Sequence, residues 1–99
     1  MSAIGSNALS GLNSAALGLQ VSAHNVANAS TAGFTRQERV VAAQPEGGVS
    51  ATVRNASQPG TDLERDLVDQ MQLSYEFKAN VLSLKAEDEM LGQLLDLTA

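Results

Sequence analysis

His24 beside Asn25 is the pairing in this 99-residue chain that most invites a catalytic reading, because an imidazole is the usual general base. It lacks the company that catalysis needs. There is no cysteine, and neither a nucleophile elbow nor a base-orienting acid stands nearby, so His24 reads as a solvated or packed helical histidine. The acidic run Glu87, Asp88 and Glu89 could suggest a cation site, but it lacks the oxygen-ligand spacing and the glycine turn of a calcium loop and reads as a solvated helix face. Asn28-Ala29-Ser30 and Asn55-Ala56-Ser57 match the glycosylation acceptor pattern, three-residue signals that arise easily by chance. Gly47-Gly48 is a turn and not a phosphate cradle, since no Lys-Ser or Lys-Thr follows and no helix opens there. No catalytic, cofactor-binding or metal-ligating residue is therefore expected, no cofactor is implied, and the chain does not read as an enzyme.

The bulk properties narrow the field further. A chain of this size is one domain at most, and its lone core is marginal unless something staples it or it associates. With no cysteine and a single histidine, neither a disulfide framework nor a structural metal site can do so. The formal net charge of -5 and a pI near 4.5 argue against nucleic acid or an anionic membrane as partner. No stretch approaches the roughly 20 apolar residues of a membrane span, and no positively charged start leads into an apolar run as in a secretory signal. Export, if it occurs, is expected to use a route that reads no cleavable signal. Residues 1–35 contain no Asp, Glu, Lys or Arg, whereas residues 62–96 carry most of the acidic side chains. A surface helix ordinarily spends charge on its wet face, so an uncharged opening segment reads as one awaiting a partner.

The elements that would position these residues are two helices around a small β region. The spacing predicts a first helix from about residue 2 to about residue 28, with Leu9, Leu12, Ala16, Leu19, Ala23 and Val26 on alternating steps of three and four, and Ile4 and Ala8 extending the apolar surface. Gly5, Gly11 and Gly18 weaken it by about 1 kcal/mol each against alanine. They also allow neighbouring helices to approach closely. Asn28, Ser30, Thr31 and Gly33 supply turn and C-cap chemistry. A hairpin follows, with residues 34–43 as mate to the alternating Val49, Ala51 and Val53 through a turn at residues 44–48. A lone hairpin is marginal in water and must lean on a helix or on a neighbouring subunit. Pro59 and Gly60 then precede Thr61 as N-cap with Glu64 three residues on, opening a second helix that runs to about residue 97. One stripe of it holds Leu63, Leu67, Gln70, Ser74, Phe77, Val81, Leu84, Asp88, Leu91 and Leu95; a second holds Val68, Met71, Tyr75, Leu82, Ala86 and Met90. Two apolar stripes exceed what one intramolecular partner covers. The expected architecture is thus mainly α, with long terminal helices pairing as a coiled coil about a short β-hairpin-like middle, divided as residues 1–34, 35–60 and 61–99. Heptads do not reveal stoichiometry, so a self-contained helical hairpin acting as an adaptor and a polymer subunit both remain open.

The segment Asn25-Val26-Ala27-Asn28-Ala29-Ser30-Thr31-Ala32-Gly33-Phe34, preceded by Ala8-Leu9-Ser10-Gly11-Leu12, resembles the N-terminal signature of the bacterial flagellar axial family, the rod, hook and hook-associated proteins. That signature is a helix ending in Asn-aliphatic-Ala-Asn, then Thr and Gly followed by an aromatic, carried here by Asn25, Asn28, Thr31, Gly33 and Phe34. Tyr75-Glu76-Phe77-Lys78-Ala79-Asn80, with Asp88-Glu89-Met90-Leu91-Gly92 and Leu94-Leu95-Asp96-Leu97, looks like the C-terminal helix of the same family. Together the two matches cover about two thirds of the chain. Ala32 stands where the family often has proline, and Phe34 where it often has tyrosine; both keep a turn followed by an aromatic anchor. The middle from residue 35 to 59 is too short for the outer domains of the hook, which favours a minimal rod-type subunit, although Thr35-Arg36-Gln37 is also similar to hook-associated proteins.

The resemblance implies a structural subunit of the flagellar basal-body rod, in the periplasm-spanning part of the flagellum, passed unfolded through the type III export apparatus without a cleavable signal and added to a helical tube. Its implied partners are other copies of itself, other flagellar axial proteins and the export apparatus, with no nucleic acid and no membrane insertion. The terminal helices would pair in the inner core, Leu9, Leu12, Leu19 and Val26 meeting Phe77, Val81, Leu84 and Leu91, with Leu67 and Leu95 completing the assembly interface. Removing one such buried leucine is expected to cost about 2 to 5 kcal/mol per subunit.

Overall fold

The structure, a computed structural model, describes residues 3–98. Helix α1 spans Ala3–Ala27, strand β1 Gln37–Ala43, strand β2 Val49–Asn55 and helix α2 Leu63–Thr98. The expected two-helix, one-hairpin architecture is therefore what the chain adopts, and the expected start of α1 at residue 2 lies outside the described residues.

The hairpin follows from its alternation. Strands β1 and β2 pair antiparallel with Val41 opposite Ala51 and Arg39 opposite Val53. Glu38 lies opposite Arg54, and their side chains meet at 3.1 Å on the solvent face. The turn between the strands closes with Gln44 N–H donating to Gly48 O and Gly47 N–H to Gln44 O. Gly48 has a positive φ of 78°, and a side chain there would also strike Ser10 Oγ at 2.6 Å. The hairpin leans on α1, as a marginal two-stranded sheet must. Val49 N–H donates to Ser10 Oγ at 3.1 Å, and Arg39 Nη1 donates to the carbonyl and hydroxyl of Ser14 at 3.1 and 3.0 Å.

Helix α2 begins one residue later than its sequence signal suggests. The chain stays extended through Gly60, whose N–H donates to Phe34 O at 2.9 Å while Gly60 bridges to Thr35. That leaves Asp62, not Thr61, as the N-cap: its carboxylate accepts Arg65 N–H at 3.2 Å and its carbonyl accepts the first helical bond, from Asp66 N–H.

The helices run antiparallel, and the seam that α1 turns to α2 lies one residue behind the leucine stripe. It follows Ala8, Gly11, Ala15, Gly18, Ser22 and Asn25, the same alternation of three and four but in small side chains. Across from it, Asn25 meets Asp66, Gly18 meets Leu73 and Gly11 meets Asn80, so one heptad forward on α1 is one heptad back on α2. A Cβ on Gly18 would fall 2.6 Å from Leu73 Cδ2, and one on Gly11 2.5 Å from Asn80 Oδ1. The approach is too close for leucines, which is why the bulkier stripe of α1 turns aside: Leu9 is exposed, and Leu12, Leu19 and Val26 are half-buried.

The resulting core is thin. Its buried apolar side chains are Ala8, Ala15, Val21 and Leu73, and they are matched by the buried polar side chains of Ser14, Ser22, Asn25 and Asp66. The molecule is elongated, 63 × 25 × 13 Å, with a radius of gyration of 17.3 Å, against about 13 Å for a compact chain of this length. At 1.5 Å per residue α1 is about 37 Å long and α2 about 54 Å. In the observed register Ala3 lies opposite the neighbourhood of Asp88, so the last ten or so residues of α2 run past the described end of α1.

Candidate functional site

Two features combine here, a buried polar clasp at one end of the helix pair and an uncovered apolar surface along α2. The clasp begins with Asn25, only 2% exposed, in the last turn of α1. Its amide grips the backbone of Gln37 from both sides: Nδ2 donates to Gln37 O and Gln37 N–H donates to Oδ1, each at 2.9 Å. The same Nδ2 reaches Asp66 Oδ1 at 3.4 Å. Asp66, likewise 2% exposed, sits in the first turn of α2 and is met by the Arg36 guanidinium, with Nε 3.3 Å from Oδ2 and Nη2 hydrogen-bonded to Oδ1. Ser22 Oγ donates to the Asp66 carbonyl at 2.7 Å. No buried side-chain nitrogen or oxygen among the described residues lacks a partner. A buried charge is tolerated on that condition.

The hydrogen bond that Arg36 donates to Asp66, and the charge of that carboxylate, raise the Arg36 pKa above the ordinary arginine value, against the opposing effect of burial. A raised cation pKa means that this stabilisation is complete below the ordinary arginine range and is lost only as pH rises beyond it. Neutral pH changes leave the Arg36 side of the pair unaltered.

The other motif residues shape the exit from α1. His24 O accepts both the N–H of Asn28 at 3.1 Å and its side-chain Nδ2 at 2.9 Å, closing the helix end. Thr31 N–H donates to Asn28 O, and Thr31 Oγ1 lies 3.2 Å from Asn28 Oδ1. Gly33 takes a φ of 69°, a conformation that side chains disfavour, and turns the chain back. Phe34 then sets its ring 5.3 Å from that of His24 at 57°. Asn25, Asn28, Thr31, Gly33 and Phe34 thus form one continuous device that ends α1 and delivers Arg36 and Gln37 to the clasp. His24 itself is exposed and packed on Phe34.

An open cleft of about 320 Å³ lies over the clasp between α1, β1 and α2. Arg36, Arg39, Arg54 and Arg65 line it together with Glu38, Asp66, Asp69 and Glu76, so it carries no single sign of charge. Among the described residues no trio of His, Asp or Glu side chains could hold a metal ion, and no helix is long and apolar enough to cross a membrane.

The apolar surface of α2 is extensive. The whole second stripe is open to solvent at Val68, Met71, Tyr75, Leu82 and Met90, with Tyr75 72% exposed. Of the residues expected at an assembly interface, Leu67, Phe77, Val81, Leu91 and Leu95 are exposed and Leu84 is half-buried. Leu63, Leu94 and Leu97 add to them. Exposed apolar side chains in such numbers are uncommon on a monomeric soluble protein.

The clasp partners Ser22, Arg36 and Asp66 were not singled out as a site by sequence spacing. Asp66 reads from the sequence as a favourable first-turn acid, and the available signal was the small-residue heptad that ends on Asn25. No family model matches the chain, and no curated protein matches it.

Proposed function

We propose that this chain is a structural subunit that works by assembly rather than catalysis, polymerising through its two terminal helices, and that it belongs with the rod-type members of the bacterial flagellar axial family. The observation that carries the reading is the uncovered apolar surface of α2: Val68, Met71, Tyr75, Leu82 and Met90 along the helix, then Leu91, Leu94, Leu95 and Leu97 past the described end of α1. Two further points support it. The terminal helices pair over a core of mostly small side chains, which leaves Leu9 of α1 and most leucines of α2 exposed. The motif that suggested the family, residues 25–34, has a defined mechanical role in turning α1 into the hairpin. On this reading the subunit is passed through the flagellar export apparatus without a cleavable signal and takes its place in the periplasm-spanning rod, with copies of itself or other axial proteins as neighbours.

A self-contained adaptor or export chaperone is the second reading, favoured by the fully partnered clasp, which lets α1, the hairpin and α2 fold as one unit. Circular dichroism and sedimentation over a dilution series separate the two. A subunit built to assemble gains helicity and mass as concentration rises; an adaptor holds both constant down to the lowest concentration. In cells, chains lacking residues 1–19 or 84–99 should neither enter the rod nor support motility. Incorporation of either truncated chain would remove the terminal helices from the assembly and overturn the first reading.

A further inference from the structure

The hairpin covers one face of the helix pair and leaves the opposite face bare. It meets α1 at Ser10, Ser14 and Asn25, and Arg39 reaches Glu76 on α2. The leucine stripe of α1 lies on the other flank of the seam, and antiparallel pairing brings the first stripe of α2 to that same side. A groove results, with Leu12, Leu19 and Val26 along one wall and Val81, Phe77 and Leu67 along the other. The first three are half-buried and the last three exposed. No charged residue lies on this face of α1, nor on the α2 stripe from Leu63 to Leu84, whereas the cleft on the hairpin side carries Arg36, Arg39, Asp69 and Glu76.

The last turns of α2 fit that groove in length and in chemistry. Residues 90–98, past the described end of α1, are about 14 Å long, and the groove from Leu9 to Val26 is about 27 Å. Met90, Leu91, Leu94 and Leu97 fall within one arc of about 120° around the helix, and they are 62%, 49%, 57% and 83% exposed. Asp96, the one charged residue of this segment, lies on the opposite side. An amphipathic helix of this kind seats its apolar arc in an apolar groove. It cannot reach the groove of its own chain, because α2 is continuous to Thr98 and carries the segment away from that groove. The second stripe of α2 is a poorer seat: it lies on the back of a single helix, and Glu64, Lys78 and Glu89 are set among its apolar side chains.

We propose that the C-terminal overhang of one copy docks in the leucine groove of the next, with Met90, Leu91, Leu94 and Leu97 inward and Asp96 outward. This contact rests on the assembly reading and names the two surfaces that carry it. The surfaces differ, so the contact is head-to-tail. Each copy added leaves one groove and one overhang open, and the assembly grows instead of closing at two chains.

Two full-length variants test the contact, Leu67→Lys with Val81→Lys in the groove and Leu91→Gln with Leu94→Gln in the overhang. All four positions are exposed, so helicity by circular dichroism should match that of the native chain. In sedimentation the native chain should form larger species as concentration rises, and each variant alone should stay monomeric. An equal mixture of the variants should give a complex of two chains and nothing larger, since only one intact groove and one intact overhang can meet. A mixture that stays monomeric, or a variant that still associates alone while the native chain does so, overturns the contact and leaves the assembly reading standing. A native chain that stays monomeric at every concentration removes both. Should the groove variant lose helicity, Ala23→Lys, at an exposed position on the α1 side of the groove, is measured in its place under the same criteria.

Discussion

The two ends of α2 share one helical seam and use it in opposite ways. Where α1 lies alongside, the seam reads Asp66, Gln70, Leu73, Phe77, Asn80, Leu84 and Glu87, largely polar and fitted to the glycines and alanines across from it. Past the described end of α1 the same spacing continues as Leu91 and Leu94, with Leu95 and Leu97 beside them and exposed. Polar groups accept one partner in one geometry, whereas leucine accepts any apolar surface of suitable shape. The covered end therefore fixes how the chain folds on itself, and on the proposed assembly reading the uncovered end is the one that supplies adhesion, without specifying its alignment.

The division is tested hardest at Asp66. Replacing it by alanine leaves the half-buried Arg36 guanidinium without its carboxylate and removes an acceptor from Asn25. The expected loss is about 3 to 5 kcal/mol, read from urea unfolding of the full chain by circular dichroism. A loss of about 0.5 kcal/mol, the size of an ordinary surface substitution, would mean that the covered end is not where the fold is held. Gly18→Ala comes next. Helix propensity alone favours alanine by about 1 kcal/mol, but the new Cβ would meet Leu73 Cδ2 at 2.6 Å and Arg39 Cδ at 3.2 Å. Overpacking of that kind should prevail and lower stability by about 1 to 3 kcal/mol.

These two sites also show how far the sequence could be read. Helix spans, the hairpin and its turn follow from periodicity and from glycine and proline placement, and they match the structure to within a few residues. The phase of the α1 seam did not follow, because leucines at 9, 12 and 19 draw the eye to a stripe that is one residue away from the close-packed one. Two heptads run in parallel along α1, one of large and one of small residues, and spacing alone cannot say which faces inward when the inward choice depends on how near α2 comes. The motif from Asn25 to Phe34 was visible as a pattern, but its use was not: gripping Gln37 and Asp66 requires elements 12 and 41 residues away in the chain. The N-cap fell on Asp62 instead of Thr61 because the Gly60 bridge to Thr35, a contact between distant segments, keeps the chain extended. The second apolar stripe of α2 was legible as one too many for a single partner, and in the structure both stripes are largely exposed.

The same substitution should change sign at the uncovered end. A Cβ on Gly92 meets no atom within 4 Å, and its backbone does not require a positive φ. Gly92→Ala should therefore realise the propensity gain, up to about 1 kcal/mol. The gain should appear as greater helicity and slower amide exchange in residues 88–98, with little change at the clasp. Equal destabilisation by Gly18→Ala and Gly92→Ala would erase the contrast between the two ends.

The smallest expected effect on the isolated chain is the most telling for association. Leu91→Gln with Leu94→Gln keeps helix propensity nearly constant, since both residue types are good helix formers. The two side chains are 49% and 57% exposed, so their removal sacrifices little intramolecular burial. Unfolding of the dilute chain should shift by no more than about 0.5 kcal/mol. Sedimentation of the concentrated chain should change far more, because each leucine contributes about 1.5 to 3 kcal/mol when fully covered by a neighbour, and that contribution recurs at every contact in a polymer. Loss of association with stability retained would place adhesion at the uncovered end. A chain that still associates after both substitutions would move the adhesive surface back to Val68, Met71 and Tyr75, on the flank of the helix that α1 already accompanies.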